Sequence, residues 1–351
     1  MLLDIGLNLV TTFPNKKVHF IFLLLSLYNI KYHTDLANSK LYSIVNQPHI
    51  RIYAPETSHF SIGTSPYYAH QYALGIDIYD QLTIQNYEVV SPVSGKVLQI
   101  RDMRAPKPKF NDGIDREYLT VIQNIDGENT VFKILHIKPA LDVGQNIEPG
   151  DILGTTIRNG YFAPWSSPHI HLEIKKPEDV LRAKKGLPFT LNTKSRPIKN
   201  VLKKSIYCEQ IPVEIISTFD EFFLCRIPDN LYLNIPPFFG VKGSTKQVNY
   251  ILDAGIPQYK HGIVHFLTGE DAQDVNQIYL NNIQIGSING FYKKYGFANF
   301  NKVKIQLNNR SIRGISFFLA KFQPLIKIIP FHKGDFQIKE RSTHQLKIIG
   351  I

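Results

Sequence analysis

The 351 residues suffice for two domains, each with its own core, and 43% hydrophobic against 20% charged residues is the balance of an ordinary globular protein. Two cysteines, Cys208 and Cys225, exclude a disulfide framework and a Cys-based zinc site; they leave at most one bridge, and the compartment stays open. The net charge of +11 is local, because ten Lys or Arg against Glu178 and Asp179 between Lys175 and Lys204 supply +8 of it. No nucleic-acid partner is therefore expected; the run reads first as a solvated linker and second as a contact for an anionic polymer or membrane surface through residues 175–204.

In chain order, residues 1–45 read as an N-terminal extension. Lys16-Lys17 precede an apolar run from Val18 to Tyr28 that is too short to span a bilayer and is followed by no Ala-x-Ala site. A poor signal or anchor, a buried helix and an extension outside the folded unit all stay open. The first would place the protein in the secreted or envelope compartment, the others in the cytoplasm. From Ile50 the pattern turns to strands. Ile50–Ala54, Leu74–Tyr79, and Tyr87–Ile100 with a turn at Pro92–Gly95 all alternate at a period of two. Residues 101–115, rich in Pro, Lys and Asp, predict an exposed loop. Tyr118–Ile125 and Thr130–Ile137 flank Asp126-Gly127-Glu128-Asn129, a hairpin pattern. Glycine-spaced short strands follow over 143–154, and 160–167 reads as irregular. No amphipathic helix longer than two turns is expected between Ile50 and Ile174.

Residues 177–205 form the basic linker, and 206–351 is again β-rich. Candidate strands there are Val213–Ser217, Glu221–Arg226, Gly262–Leu267, Gln277–Ile285, Lys302–Leu307, Gly314–Ala320 and Leu325–Ile329, the spacing of a sandwich or small barrel. His261 and His265, four apart in a strand, read as structural. The domain at 46–176 carries the chemistry. In Pro168-His169-Ile170-His171-Leu172-Glu173-Ile174, alternation puts His169, His171 and Glu173 on one strand face and Ile170, Leu172 and Ile174 on the other. An isolated His-x-His is more often a surface pair than a site. Here His70, Asp77 and His136 also sit at or beside strand ends, so the segment holds enough ligands for a zinc ion with an open position and two spare imidazoles.

The series of motifs resembles the lysostaphin or LytM-type zinc metalloendopeptidases over about residues 50–176. Gly75-Ile76-Asp77 is similar to that family's strand bearing a zinc aspartate, and Val90-Ser91-Pro92-Val93-Ser94-Gly95-Lys96-Val97 to its strand–turn–strand. Leu135-His136 is similar to its strand ending in a lone histidine, Val143–Gly154 to its glycine-spaced segment, and Pro168–Glu173 to its closing His-x-His strand. The resemblance implies an all-β protein: a barrel-sandwich, peptidase-like domain followed by the second β-rich domain. It implies Zn2+ held by Asp77 and His171, with His136 and His169 as the catalytic pair flanking an attacking zinc-bound water. The substrate it implies is a short peptide link, as in a peptide-crosslinked cell-wall or envelope polymer.

Two departures stand out. The family's usual ligand position, four before the aspartate, is Ala73, so His70 is the third candidate ligand and His59 a weaker substitute. Ser167-Pro168 replaces the usual Gly before the His-x-His. Glu173 is a candidate to orient His171, or a plain carboxylate; Trp165 and Tyr68 are candidates for a substrate groove, or for packing. The alternative function is a non-catalytic zinc-binding or barrel-sandwich binding module, including a carrier modified at Lys96 in the Ser91–Lys96 turn.

Overall fold

Short runs of alternating apolar and polar residues, punctuated by Gly and Pro, pair into antiparallel strands throughout, and the protein is all-β. The computed structural model describes residues 40–194 and 209–351, apart from Glu128, Lys246, Asp274, Asn301 and Lys302. The apolar run Val18–Tyr28, residues 195–205 of the basic stretch and Cys208 lie outside the described residues. Cys225 is buried. Among the described residues, no helix is long and apolar enough to cross a membrane.

The first half contains β1 (Leu41–Gln47), β2 (Ile50–Pro55), β3 (His59–Ser61), the four-residue helix α1 (Tyr68–Gln71) and β4 (Gly75–Tyr79). There follow β5 (Glu88–Val90), β6 (Gly95–Arg104), β7 (Arg116–Gln123), β8 (Val131–Leu135), β9 (Ile137–Pro139), β10 (Asn146–Ile147), β11 (Ile152–Thr156) and β12 (Ile170–Lys175). Pairing gives the order β3-β4-β12-β8-β7-β6-β10, with β5-β11-β9 as a separate three-stranded sheet. The central position of β12 accounts for a difference from the alternation read in its sequence. It pairs with β4 on one side and β8 on the other, so all six of its residues are buried and its polar face looks into the protein. A second difference is β6, which runs to Arg104 into the stretch expected to be loop. Its partner β7 supplies a ladder as far as Arg116, and Pro106 and Pro108 follow the end of the strand.

The sheet does not stop at the first half. Edge strand β3 pairs with Leu319–Ala320, and Ala320 is opposite Phe239 on the strand Phe238–Ser244, so hydrogen bonding continues into the second half. One apolar cluster holds Phe60, Ile76 and Ile78 together with Phe238, Ile251, Ile263 and Leu319. A second cluster belongs wholly to residues 211–348. Part of the basic stretch is packed rather than solvated: Phe189 and Leu191 enter the shared core, and the Leu191 N–H donates to the Tyr295 hydroxyl at 2.6 Å. Apolar side chains embedded in a charged run set its path, while Arg182, Lys184 and Lys185 stay exposed.

His59 on β3 is half-buried, and its Nε2 accepts the Leu325 N–H at 3.1 Å, an arrangement that needs the neutral ring. Burial, with the Lys327 ammonium nearby, lowers its pKa from 6.5 to about 4. The unfolded chain therefore takes up this proton first. The contribution is complete above pH 6.5 and shrinks as pH falls toward 4. Between pH 7 and pH 4.5 the expected loss is about 2–3 kcal/mol relative to His59→Gln, which keeps an acceptor for Leu325 but does not titrate. Urea unfolding at both pH values measures it; a constant gap between the two proteins would refute the assignment.

Candidate metal centre

Register builds the site. His171 on β12 lies directly opposite Asp77 on β4, which places the two side chains next to each other on one face. On β4, Gly75 occupies the same face two residues earlier; a Cβ there would lie 3.0 Å from His171 Cε1, so the missing side chain makes room for the imidazole. His70 arrives from α1. The helix ends with Ala73 in the left-handed region at φ 53°, its methyl buried in the core, and the Leu74 N–H returns to the Ala69 carbonyl at 2.8 Å. Ala73 therefore points away from the site, and the single helical turn carries His70 into it.

Three donor atoms meet. Asp77 Oδ1 is 2.8 Å from His171 Nδ1 and 3.3 Å from His70 Nε2, and the two nitrogens are 3.2 Å apart. All three residues are buried. A zinc ion bound tetrahedrally at 2.0–2.1 Å requires donors about 3.3 Å apart, so the spacing fits that ion with little adjustment. Each histidine is also fixed at its other nitrogen. His70 Nδ1–H donates to the Ile62 carbonyl at 2.8 Å, leaving the Nε2 lone pair on the donor cluster. His171 Nε2 lies 3.3 Å from Glu173 Oε1, which leaves Nδ1 on the donor cluster. Glu173 is itself held between Lys133 at 2.9 Å and Lys175 at 2.8 Å. Burial raises the Asp77 carboxyl, but His169, His70 and His171 outweigh it and hold it well below the usual range. For His171 burial works downward, and the bonds to Asp77 and Glu173 win, raising its pKa to about 9.

His136 and His169 stand beside this triad. Their ring centroids are 5.3 Å apart, and that of His136 is 5.8 Å from that of His171. His169 Nδ1–H donates to the Ser167 carbonyl at 2.8 Å, and its Nε2 is 3.4 Å from Asp77 Oδ2. Burial lowers its pKa to about 3. His136, at the junction of β8 and β9, has φ 70°, a conformation costing about 1 kcal/mol or more outside glycine. Glu117 holds it there. Its Oε1 accepts the His136 backbone N–H at 2.8 Å, and its Oε2 accepts the ring Nδ1–H at 2.6 Å and the Asn159 amide at 2.9 Å. Burial would raise the Glu117 carboxyl, yet His136 and these hydrogen bonds hold it at about 2.

Glu117 is absent from the sequence-derived site. Its trace in the sequence is a carboxylate sharing a strand face with Leu119 and Val121, where a charge needs a partner. Tyr79 is a second addition, its hydroxyl 3.4 Å from Asp77 Oδ2. The triad, the histidine pair, Glu117 and Glu173 line one cavity of about 440 Å³, walled by Tyr67, Tyr68, Tyr161, Phe162 and Leu181. Trp165 is not among its lining residues. That indole donates to the Tyr259 hydroxyl at 3.1 Å and lies under Arg313, while Tyr259 itself reaches the cavity from the second half. His59 is engaged by Leu325, and His261 and His265 bond Ser65 and Asp253; none joins the triad.

Residues 50–191 match a family model described as the N-terminal domain of a domain of unknown function, DUF8155. No curated protein matches the chain. Among solved structures, the catalytic domain of the antimicrobial peptidase lysostaphin from Staphylococcus simulans is similar over 44% of this chain and 90% of that one, at 16% identity and TM-score 0.24. The solution structure of lysostaphin is similar over 74% and 94%, at 13% identity and TM-score 0.20. A chain of the SpoIIIAH–SpoIIQ complex is similar over 41% and 96%, at 14% identity and TM-score 0.27.

Proposed function

We propose that this protein is a zinc-dependent endopeptidase acting on short peptide links, such as those of a peptide-crosslinked envelope polymer. One observation carries the reading: three buried donors at 2.8–3.3 Å spacing face a cavity shared with two further imidazoles. His70, Asp77 and His171 would hold the ion. When bound, zinc supplies the Lewis acidity that polarises a scissile carbonyl and makes water nucleophilic near neutral pH.

The chain's own groups manage the protons. His136 and His169 each commit Nδ1–H to an acceptor that cannot donate in return, so each neutral ring keeps its Nε2 lone pair as the proton-accepting atom. One removes a proton from the attacking water, and the imidazolium formed returns it to the leaving amine. Phe162 packs against both rings, at centroid distances of 4.7 and 5.0 Å, and limits their rotation.

A second, non-catalytic reading has one observation in its favour. Asp77 already has donors of its own, His171 Nδ1–H at 2.8 Å from Oδ1 and the Tyr79 hydroxyl at 3.4 Å from Oδ2, so its carboxylate is paired by hydrogen bonding. Metal analysis of purified wild-type protein, followed by incubation with a panel of Gly- and Ala-containing peptides, separates the two. One zinc per chain and chelator-sensitive cleavage are expected. Absence of stoichiometric zinc ends the first reading, and zinc without cleavage of any peptide selects the second.

A further inference from the structure

His70 stands on a helix of only four residues, too short to hold a ligand's orientation without help. Its ring is oriented by the bond from Nδ1–H to the Ile62 carbonyl, so the position of the 61–64 segment decides where Nε2 points. That segment belongs to the first half of the chain but is held by the second. The Ile62 N–H donates to Asp253 Oδ2 at 2.7 Å, and the Ser61 hydroxyl donates to Asp253 Oδ1 at 2.5 Å. Ser61 Oγ accepts the Thr64 N–H at 2.8 Å, and Thr64 Oγ1 donates to the Phe317 carbonyl at 2.8 Å. Asp253 is fully buried in the middle of the apolar strand Asn249–Ile256, and its remaining partners are His265 at 3.1 Å and the Thr64 hydroxyl at 3.3 Å.

A carboxylate placed in such a strand is costly unless its hydrogen bonds are needed. The segment also has no slack. A Cβ on Gly63 would lie 2.2 Å from the Asp253 carbonyl oxygen and 2.5 Å from the Ile263 nitrogen, so its backbone rests directly on the second half's strands.

We propose that Asp253 is a positioning residue for the metal ligand His70, acting through the backbone of Ile62, so that the second β-rich half completes the metal centre. The inference rests on the zinc reading above. The two backbone groups of Ile62 relay it: Asp253 accepts its N–H, and its carbonyl accepts the His70 Nδ1–H. Partners bonded directly to a ligand typically set metal affinity by 10–100-fold, and Asp253, one step further out, is expected to set about tenfold.

The test is a competition titration of zinc against a chromogenic chelator, with the visible spectrum of the cobalt(II)-substituted protein as a second readout. Asp253→Leu preserves bulk and removes both acceptors; zinc binding about tenfold weaker than wild type and an altered cobalt spectrum are expected. Asp253→Asn keeps an acceptor for the Ile62 N–H and is expected to bind within about threefold of wild type. In a His70→Ala background, Asp253→Leu is expected to add no further loss, because the effect runs through His70. A purely structural role would instead add in full. Wild-type affinity and spectrum in folded Asp253→Leu overturn the proposal, as does full additivity with His70→Ala or an Asn variant as weak as the Leu variant. Should Asp253→Leu not fold, Asp253→Ser, whose shorter side chain withdraws the acceptor from the Ile62 N–H, takes its place in the same cycle; unchanged zinc affinity there likewise overturns it. Absence of zinc from the wild type counts against the metal centre itself, which keeps the two failures apart.

Discussion

Asp77→Asn and His171→Ala are each expected to yield protein without stoichiometric zinc, with affinity lower by at least about a thousandfold, since partners one step removed already account for 10–100-fold. The reasons differ. Asp77 brings the only negative charge of the donor set and touches both other members, being 2.8 Å from His171 and 3.3 Å from His70, with His169 at 3.4 Å beside them. A neutral amide is a poor ligand for zinc and would place an NH2 group against imidazole nitrogens. His171→Ala removes a ligand and empties part of the space that Gly75 leaves open for the ring. Elemental analysis after dialysis, with circular dichroism to show that the fold persists, decides the matter. Stoichiometric zinc in either folded variant would mean that the ion sits elsewhere.

Glu117→Gln is expected to reduce peptide turnover by about 10²–10³-fold while leaving zinc content unchanged. All the groups around this carboxylate are donors: the backbone N–H of Tyr118 and of His136, the ring of His136 and the amide of Asn159. A glutamine presents an NH2 to two of them. The His136 ring must then rotate or change tautomer, and its Nε2 lone pair is no longer reserved for the proton transfer. A stability loss of about 1–3 kcal/mol should accompany it, from buried donors left without an acceptor. Zinc content, kcat and the thermal midpoint measured on one preparation separate these effects. Full turnover in zinc-loaded Glu117→Gln would remove His136 from the proton-transfer step.

How the site was legible follows from the range of each interaction. Asp77, His169 and His171 belong to period-two strands, where one residue's face dictates its neighbours' two positions away, so their common orientation could be read locally. The third candidate ligand, His70, could be named only beside His59 as a weaker substitute. His59, His70 and Ala73 are all near Asp77 in sequence, and the choice depends on the single turn at Tyr68–Gln71 and the left-handed residue that ends it. Glu117 escaped notice because it acts on His136 across the sheet, 19 residues away. The basic stretch misled because charge dominates its composition, whereas Phe189 and Leu191 dominate its packing.

Local alternation thus sufficed for the all-β class, for the strands at the heart of the first half and for the chemical identity of the donors, since each depends on residues two to four positions apart. Only tertiary contacts could choose the register that sets His171 against Asp77, bring His70 rather than Ala73 inward, and place Asp253 beneath the Ile62 peptide. Those contacts join residues up to 191 positions apart, and no short-range pattern encodes a hydrogen bond that exists only once two distant strands have packed.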